Sequence, residues 1–247
     1  MSKNAIIIQA RMGSTRLPGK VLEPLGNKTV LWHVINRAKA VDGANIVCCA
    51  IPNNANSDPV ATEAERCGAL VVRGDELDVL SRYRKAAKEI NADVIMRVTS
   101  DCPLIAPDVC SEVLKLVTTG VSDYACNNMP PSFPHGLDCE AFTIRALDQA
   151  ALKAQHPYER EHVTPWIRNC SDLKHLNISC SLGNLQHLRW TLDYPEDLLF
   201  FRALIKHLEP APVTVSMARV LAILSDHPEL QHINAMHVER TQNCPKD

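Results

Sequence analysis

The sequence predicts an α/β fold of three layers, in which a mostly parallel sheet lies between two layers of helices. Short apolar runs alternate with helical patterns through the first half of the chain, which is typical of βα repeats. The first run, residues 5–9, does not alternate polar and apolar positions, as expected for a strand buried on both faces of a parallel sheet. The chain has 247 residues, 46% of them hydrophobic, which is enough to bury such a core.

Four βα units account for the first half of the chain. Strands are predicted over residues 5–9, 45–51, 69–72 and 93–99, and helices over residues 29–41, 57–67, 77–90 and 107–118. The fourth helix begins at Pro107, a residue type favoured at the first helical position, and has Asp108 in its first turn. Right-handed crossovers would bring the carboxyl ends of these strands to one edge of the sheet.

The second half has a different pattern. A proline-rich segment at residues 130–134 precedes strands predicted over residues 137–142, 174–179 and 187–192 and helices predicted over residues 144–154, 158–169, 195–207 and 213–224. No Gly/Ser-rich linker and no internal repeat separates the halves. We therefore expect a single domain over residues 1–247, in which residues 1–120 bind the main ligand and residues 121–247 supply a lid or an acceptor pocket.

Composition limits the class of protein. No apolar run approaches the ~20 residues that a membrane-spanning helix needs, and Arg11 and Arg16 interrupt the apolar N-terminal segment, unlike the core of a secretory signal. We therefore expect no membrane partner and a cytoplasmic location. The ten cysteines include no Cys-x-x-Cys pair and the ten histidines no His-Glu-x-x-His motif, so reduced core cysteines are predicted rather than a zinc site.

The loop after the first strand, residues 10–20 (ARMGSTRLPGK), carries three cations and two glycines. The forked guanidinium groups of Arg11 and Arg16 and the ammonium of Lys20 are suited to surround a phosphate-rich anion. The loop is not a P-loop, because five residues separate its glycines and Val21, rather than Ser or Thr, follows the lysine. A solvated basic loop is the alternative.

Charge is unevenly distributed along the chain. Residues 1–40 contain seven Lys or Arg residues and one acid, Glu23, a balance of +6; because the whole chain carries −2, the remainder carries −8. A localised positive field suits a small multivalent anion, whereas a nucleic acid would need a broad basic face. We therefore expect a small phosphate-bearing partner and no nucleic acid.

Two aspartates follow strand-like runs and are candidate ligands for Mg²⁺. Asp101 ends the fourth predicted strand, beside the basic loop, and Asp193 ends the run at residues 187–192. One or two carboxylates commonly hold Mg²⁺ while phosphate oxygens and waters complete its octahedron. Asp101 could instead cap a turn before Pro103, and Asp193 could be the N-cap of a helix with Glu196 at the capping-box position.

Five segments resemble the cytidylyltransferase family, namely residues 5–20, 99–105 (TSDCPLI), 135–140 (HGLDCE), 159–165 (EREHVTP) and 192–197 (LDYPED). They occur in order over nearly the whole chain, and the branch they most resemble is that of spore-coat polysaccharide biosynthesis protein F. Synthetases that activate 3-deoxy-manno-octulosonate and acylneuraminate with CTP are more distantly similar. The resemblance implies a Rossmann-like nucleotidyltransferase fold, dependence on Mg²⁺ and often a homodimer.

The resemblance also implies roles for individual residues. Those assigned to the nucleotide are Gln9, Ala10, Arg11, Gly13, Ser14, Arg16, Lys20, Arg82, Thr99 and Ser100, with Gln9 and Ala10 near the base. Those assigned to the acceptor are His135, Asp138, Glu140, Glu161 and His162. The metal is assigned to Asp101 and Asp193, and catalysis to Arg11, Arg16, Lys20 and Asp101. The stretch at residues 78–83 (DVLSRY) departs from the family at Ser81, where aspartate is frequent.

The implied reaction is Mg²⁺-dependent transfer of CMP from CTP to an acidic sugar of the ulosonic acid type, with release of pyrophosphate, for a surface polysaccharide. The cations of the opening loop would neutralise charge on the leaving group. One alternative is a glycosyltransferase that consumes a nucleotide-sugar. Such enzymes usually need paired carboxylates on one metal loop, whereas Asp101 is followed by Cys102-Pro103 rather than by a second acid after one residue. The other alternative is a non-catalytic nucleotide-binding subunit.

Overall fold

The computed structural model describes residues 2–209 and 212–238. Its strands are β1 (Asn4–Gln9), β2 (Pro24–Leu25), β3 (Lys28–Thr29), β4 (Ile46–Pro52), β5 (Leu70–Gly74), β6 (Val94–Thr99), β7 (Tyr124–Cys126), β8 (Glu140–Thr143) and β9 (His175–Asn177). Its helices are α1 (Val30–Lys39), α2 (Asp58–Arg66), α3 (Val79–Glu89), α4 (Pro107–Thr118), α5 (Ile144–Lys153), α6 (Pro157–His162), α7 (Pro165–Asn169), α8 (Pro195–Leu208), α9 (Met217–Asp226) and α10 (Glu229–His232).

Seven strands from both halves of the chain form one sheet, in the order β5-β4-β1-β6-β8-β7-β9. Within this sheet the four strands from the first half, β5, β4, β1 and β6, are parallel to one another, whereas β8 runs antiparallel to both β6 and β7. The short strands β2 and β3 form a separate antiparallel pair. The predicted three-layer fold with a mostly parallel sheet is confirmed. Because β1 and β6 are adjacent and parallel, Gln9 and Thr99 lie side by side at the carboxyl edge of the sheet.

The two helix layers follow from the burial of β1 on both faces. Ile6 and Ile8 pack on one side with apolar residues of α1, α2, α4, α8 and α9. Ile7 packs on the other side with apolar residues of α3, α5 and α7. A strand in this position is apolar at every core position, which is why its sequence shows no alternation.

Predictions for the second half needed three corrections. Residues 187–192 are not a strand, since Arg189 forms only an isolated bridge with His135. The helix predicted over residues 158–169 is two helices, α6 and α7, separated by Val163 in a left-handed conformation with φ 71°. Sequence patterns also missed β7 and α10, which are only three and four residues long.

The cysteines are single thiols distributed through the core. All nine cysteines in the described part of the chain are free, and eight of them are buried; Cys244 lies outside the described residues. Over those same residues, no helix is long and apolar enough to cross a membrane.

Candidate functional site

A cleft of about 540 Å³ opens at the carboxyl edge of β1 and β6. Its lining comes from the loop after β1, from α3, from the ends of β1 and β6, and from two segments of the second half. The lining residues are Gln9, Ala10, Arg11, Gly13, Ser14, Thr15, Arg16, Lys20, Val21, Val79, Arg82, Thr99, Ser100, Asp101, Glu161, His162 and Asp193. Every residue that the sequence assigned to nucleotide or metal therefore lies in one cleft.

The conformation of the loop after β1, residues 10–20, directs the Lys20 side chain into this cleft. Gly19 adopts a left-handed φ of 71°, which glycine accepts without strain, and its N–H donates to Met12 O at 3.0 Å to close the loop. A single 3-10 turn, Lys20–Leu22, follows immediately. A long helix does not begin at the lysine, in agreement with the sequence argument against a P-loop.

Lys20 Nζ contacts three oxygens at the floor of the cleft. It lies 2.9 Å from Asp101 Oδ2, 2.9 Å from Asp193 Oδ1 and 2.8 Å from Leu192 O. Burial alone would lower the pKa of Lys20, but the two carboxylates outweigh it and raise the pKa above its ordinary value. Burial likewise opposes ionisation of Asp101, but the Lys20 charge outweighs it and lowers the pKa of Asp101. Lys20 and Asp101 are therefore both charged at neutral pH.

Arg16 and Arg11 stand at the mouth of the cleft. Arg16 Nη2 is 3.0 Å from Asp193 Oδ1, and Nη1 donates to the Tyr194 hydroxyl at 3.2 Å. Within the described residues, Arg11 makes no hydrogen bond or ion pair, although it lines the cleft. Its guanidinium donors are thus available to a ligand.

The start of α8 fixes Asp193 without using it as a cap. The N-cap of this helix is Tyr194, and Asp197 accepts hydrogen bonds from the backbone N–H groups of Asp193 and Tyr194, each at 2.9 Å. The alternative in which Asp193 is the N-cap and Glu196 completes a capping box is therefore wrong. Glu196 instead contacts His237 Nε2 at 2.9 Å.

The donor set at Lys20 fits a hard divalent cation. The carboxylates of Asp101 and Asp193 face each other across the ammonium of Lys20, which lies 2.9 Å from an oxygen of each. The described residues contain no group of three or more His, Cys, Asp or Glu side chains that could hold a metal. Two carboxylates leave most of the coordination sphere to phosphate oxygens and water, which is how Mg²⁺ usually binds beside phosphates.

Arg82, which the resemblance assigns to the nucleotide, bonds to the protein backbone. The Arg82 side chain is buried, and its Nη1 donates to the backbone oxygens of Asp75 and Glu76, so it braces the turn before α3. Burial lowers the pKa of Arg82.

Gln9 Oε1 is buried and has no hydrogen-bond partner in the described residues. This buried amide oxygen can accept a hydrogen bond from a ligand N–H in the cleft.

The structure separates the acceptor-assigned residues into two groups. Glu161 and His162 line the cleft, and partial burial lowers the pKa of His162, which keeps its imidazole neutral at neutral pH. His135 and Asp138 lie outside the cleft lining; Asp138 Oδ2 accepts the Gly136 N–H at 3.1 Å, and His135 pairs with residues 188–190 through its backbone.

Glu140 also lies away from the cleft and is buried. Its carboxylate accepts from Arg97 Nη1 at 2.9 Å, Arg168 Nη2 at 2.7 Å, the Tyr124 hydroxyl at 2.6 Å and the Thr164 hydroxyl at 3.1 Å. A carboxylate with four protein partners has little capacity left for a sugar. In this structure Glu140 joins β6, β7, β8 and α7, and the acceptor role predicted for it is not supported by its position.

Sequence patterns missed the residues that support Asp193. Arg189 is buried, forms a double ion pair with Asp197, and places Nη2 3.3 Å from Asp193 Oδ2. Asn234 Nδ2 donates to Asp197 Oδ1 at 2.9 Å. The LDYPED segment contained the signal, since Asp197 stands at the third helical position after Tyr194.

Comparisons with known proteins agree with the geometry of the cleft. The cytidylyltransferase family model matches residues 5–189. Spore coat polysaccharide biosynthesis protein SpsF of Bacillus subtilis (strain 168) is 30% identical over 237 residues, covering 93% of this chain and 97% of that protein. A 3-deoxy-manno-octulosonate cytidylyltransferase of Anaeromyxobacter sp. (strain Fw109-5) is 31% identical over 124 residues, 49% of each chain.

Among solved structures, a cytidylyltransferase from Leptospira borgpetersenii serovar Hardjo-bovis (strain JB197) superposes with a TM-score of 0.88 at 30% identity. The match covers 94% of this chain and 97% of that one. These similarities favour a nucleotidyltransferase over the glycosyltransferase and the non-catalytic subunit considered from sequence. The chain belongs to the cytidylyltransferase family.

Proposed function

We propose that this enzyme transfers CMP from CTP to an acidic sugar of the ulosonic acid type, depends on Mg²⁺, and serves the synthesis of a surface polysaccharide in the cytoplasm. The names of its relatives support the substrate class and the pathway, since one is a spore coat polysaccharide biosynthesis protein and another a 3-deoxy-manno-octulosonate cytidylyltransferase. The free thiols of the described cysteines are typical of a reducing compartment.

The observation that carries the proposal is the convergence of opposite charges on one point of the cleft. Arg11, Arg16 and Lys20 approach from the loop after β1, and Asp101 and Asp193 approach from the sheet edge. Cations suit the β- and γ-phosphates, and the carboxylates suit the metal that accompanies them. When bound, Mg²⁺ would supply positive charge beside the reacting phosphate.

The residues of the chain then have distinct tasks in an in-line displacement. An acceptor hydroxyl oxygen forms a bond to the α-phosphorus, the bond from that phosphorus to the bridging oxygen breaks, and pyrophosphate leaves while the hydroxyl proton passes to solvent or a base. Arg11, Arg16 and Lys20 hold the pyrophosphate, on which negative charge accumulates as the bond breaks. Neutral His162, at the cleft wall, is suited to accept a hydrogen bond from the acceptor.

A pyrophosphate-release screen tests the reaction. CTP, UTP, ATP and GTP are each combined with ulosonic acids and with neutral sugar phosphates, with and without Mg²⁺. Release that requires CTP, Mg²⁺ and an acidic sugar is expected. Release with neutral sugar phosphates alone would refute the acceptor class, and full release with excess chelator would refute the metal.

A matched pair of variants tests the site in the same assay. Asp101→Asn should abolish Mg²⁺-dependent turnover because it removes an anionic oxygen from the metal ligands. Cys102→Ser should leave turnover nearly unchanged, since burial and the Asp101 charge hold the pKa of the Cys102 thiol well above its ordinary value and a neutral thiol is a poor magnesium ligand. An unchanged magnesium titration in Asp101→Asn would return this residue to a structural role.

The homodimer implied by the family resemblance stays a prediction. Light scattering during size-exclusion chromatography measures it directly, and a mass near the monomer value of 27.4 kDa would contradict it.

A further inference from the structure

The last described segment of the chain contacts Asp197 and Tyr194, two residues at the start of α8 beside Asp193. It comprises α10 and the 3-10 turn Ala235–His237, and we call residues 229–238 the C-terminal brace. We propose that Asn234 and His237 in this brace are positioning residues of the active site, holding Asp193 and Arg16 in place through Asp197 and Tyr194. This inference rests on the proposed function, which assigns the metal to Asp193 and the phosphates of CTP to Arg16.

The first route runs from Asn234 to the metal-binding carboxylate. Asn234 Nδ2 donates to Asp197 Oδ1 at 2.9 Å and to Arg189 O at 3.2 Å. Asp197 is fully buried, and its Oδ2 accepts the backbone N–H of Asp193 at 2.9 Å. Arg189, paired with Asp197, reaches Asp193 Oδ2 at 3.3 Å. Asn234 therefore orients the two groups that fix the backbone and the carboxylate of Asp193.

The second route runs from His237 to Arg16, in the loop after β1. The His237 ring stacks on Tyr194 with centroids 3.8 Å apart and planes 4° apart, while Nε2 contacts Glu196 Oε2 at 2.9 Å. Tyr194 in turn receives Arg16, whose ζ-carbon is 4.7 Å from the ring centroid and whose Nη1 donates to the hydroxyl at 3.2 Å. His237 thus sets the position of the surface against which Arg16 rests.

The chemistry of the brace favours positioning over simple core filling. Asn234 and His237 are both buried polar side chains, and burying a polar group costs free energy unless it is hydrogen-bonded. Apolar residues would fill the same space, as Leu230 does in the core under the same segment. Directional contacts fix orientation in a way that apolar contacts do not. Outer partners of metal ligands commonly have this task.

Direct binding of Mn²⁺ tests the first route. Mn²⁺ replaces Mg²⁺ as the probe, and its affinity is measured by electron paramagnetic resonance with CTP present and acceptor absent. Asn234→Ala should weaken Mn²⁺ binding by about 10-fold or more, as loss of an outer partner commonly does. His232→Ala, an exposed histidine of α10, is the control and should bind as the wild type does.

Two substitutions at one position test the second route. His237→Ala removes the ring and should raise the KM for CTP, whereas His237→Phe keeps a ring against Tyr194 and should restore most of that loss. A structural role alone would lower the melting temperature of both variants without this split in KM. Should Asn234→Ala not fold, Asn234→Ser, which keeps one short donor, takes its place in the Mn²⁺ measurement.

The outcomes separate this inference from the proposed function. Folded Asn234 and His237 variants with wild-type Mn²⁺ affinity and wild-type KM for CTP would overturn the inference and leave the proposed function intact. A wild-type protein that binds Mn²⁺ with CTP but releases no pyrophosphate with any acceptor would refute the proposed function. In that event the Mn²⁺ comparison still decides whether the brace positions Asp193.

Discussion

Lys20 occupies the point where the two proposed metal ligands, Asp101 and Asp193, converge. Its ammonium has three donors, and all three are satisfied by Asp101, Asp193 and Leu192 O. The positive charge neutralises much of the repulsion between the two carboxylates, which would otherwise favour protonation or a bound cation. A divalent cation at the proposed site would therefore compete with Lys20 for the same two oxygens, and a bound triphosphate would offer Lys20 other partners.

Removal of this ammonium should open the metal site in the absence of nucleotide. Lys20→Met is expected to bind free Mn²⁺ at least about 10-fold more tightly than the wild type, which corresponds to ~1.4 kcal/mol of relieved competition. Turnover should fall by about one to two decades, because a charge-assisted contact is worth about 1.5–3 kcal/mol. Titration of Mn²⁺ without CTP measures the first effect.

Lys85→Met is a matched control for this experiment, since Lys85 is exposed on α3, away from the cleft, and contacts Glu89 and the Arg73 backbone oxygen. It should change neither quantity. Equal Mn²⁺ affinity in Lys20→Met and the wild type would show that the ammonium does not exclude the metal.

Asp193→Asn tests the second carboxylate. Because Tyr194 is the N-cap and Asp197 supplies the capping oxygen, an asparagine at position 193 should cost little helix stability. It removes one anionic oxygen, so turnover at limiting Mg²⁺ should fall sharply. The metal-free melting temperature should also fall, because Lys20, Arg16 and Arg189 lose a counter-charge. Full activity of the variant at limiting Mg²⁺ would leave Asp101 as the sole protein ligand.

At the scale of elements, Glu140 joins three strands and a helix. Its carboxylate lies 2.9 Å from Arg97 of β6 and 2.7 Å from Arg168 of α7, with less than a twentieth of its side chain exposed. Burial would raise the pKa of Glu140, but the charges of Arg168 and Arg97 outweigh it and lower the pKa below its ordinary value of 4.5. Ionised Glu140 therefore stabilises the fold.

Glu140→Gln should destabilise the protein by about 3–5 kcal/mol at pH 7, because two half-buried guanidinium groups lose the counter-charge of a buried carboxylate. A group with a lowered folded-state pKa contributes stability above its unfolded pKa and loses it as the pH falls through the folded pKa. The difference from the wild type should therefore be constant above about pH 5 and shrink below the unfolded value near 4.5. Urea unfolding between pH 3 and 8 measures this.

Glu112→Gln, on the exposed surface of α4, is the control for that series and should match the wild type. An unchanged stability of Glu140→Gln together with a raised KM for the acceptor sugar would restore the acceptor role that the sequence assigned to Glu140.

Sequence patterns located four strands and four helices of the first half because those elements have clear apolar patterns, but missed the two-residue strands β2 and β3. They failed where partners lie far along the chain. Residues 187–192 do alternate apolar and polar side chains, but their backbone groups bond to His135 and to Asp101 O in loops, so no ladder forms. Likewise, the direction of the Glu140 side chain is set by the pairing of β8 with β6, which local sequence does not reveal.

The site was predictable in part for the same reason. Residues at the ends of β1 and β6 must meet at one edge of a parallel sheet, so the cations of the loop and Asp101 could be placed together from sequence. Asn234 and His237 could not, because they reach the site from a short segment without a strong pattern. Their contacts with Asp197 and Tyr194 exist only after the chain has folded.

For the whole molecule, the cleft joins the two halves of the chain. The first half supplies Lys20 and Asp101, and the second half supplies His162 and Asp193. A ligand in the cleft would contact residues of both halves. It would therefore link the two halves directly, in addition to the contacts they already make through the sheet and the core. Binding to the folded state alone stabilises a protein in proportion to the logarithm of ligand concentration over Kd.

CTP with Mg²⁺ should therefore raise the melting temperature. At 100 times Kd the stabilisation is about 2.7 kcal/mol, which corresponds to a rise of about 5–10 °C for a chain of this size. Cytidine lacks the phosphates that Arg11, Arg16 and Lys20 would hold, so it should give a much smaller rise at the same concentration. Asp193→Asn should keep the rise produced by CTP alone and lose the additional rise produced by Mg²⁺, because it removes the anionic oxygen that the second half offers to the proposed metal. Differential scanning fluorimetry with CTP, CTP plus Mg²⁺ and cytidine measures all three quantities, and an equal rise with cytidine would show that the phosphates do not bind in this cleft.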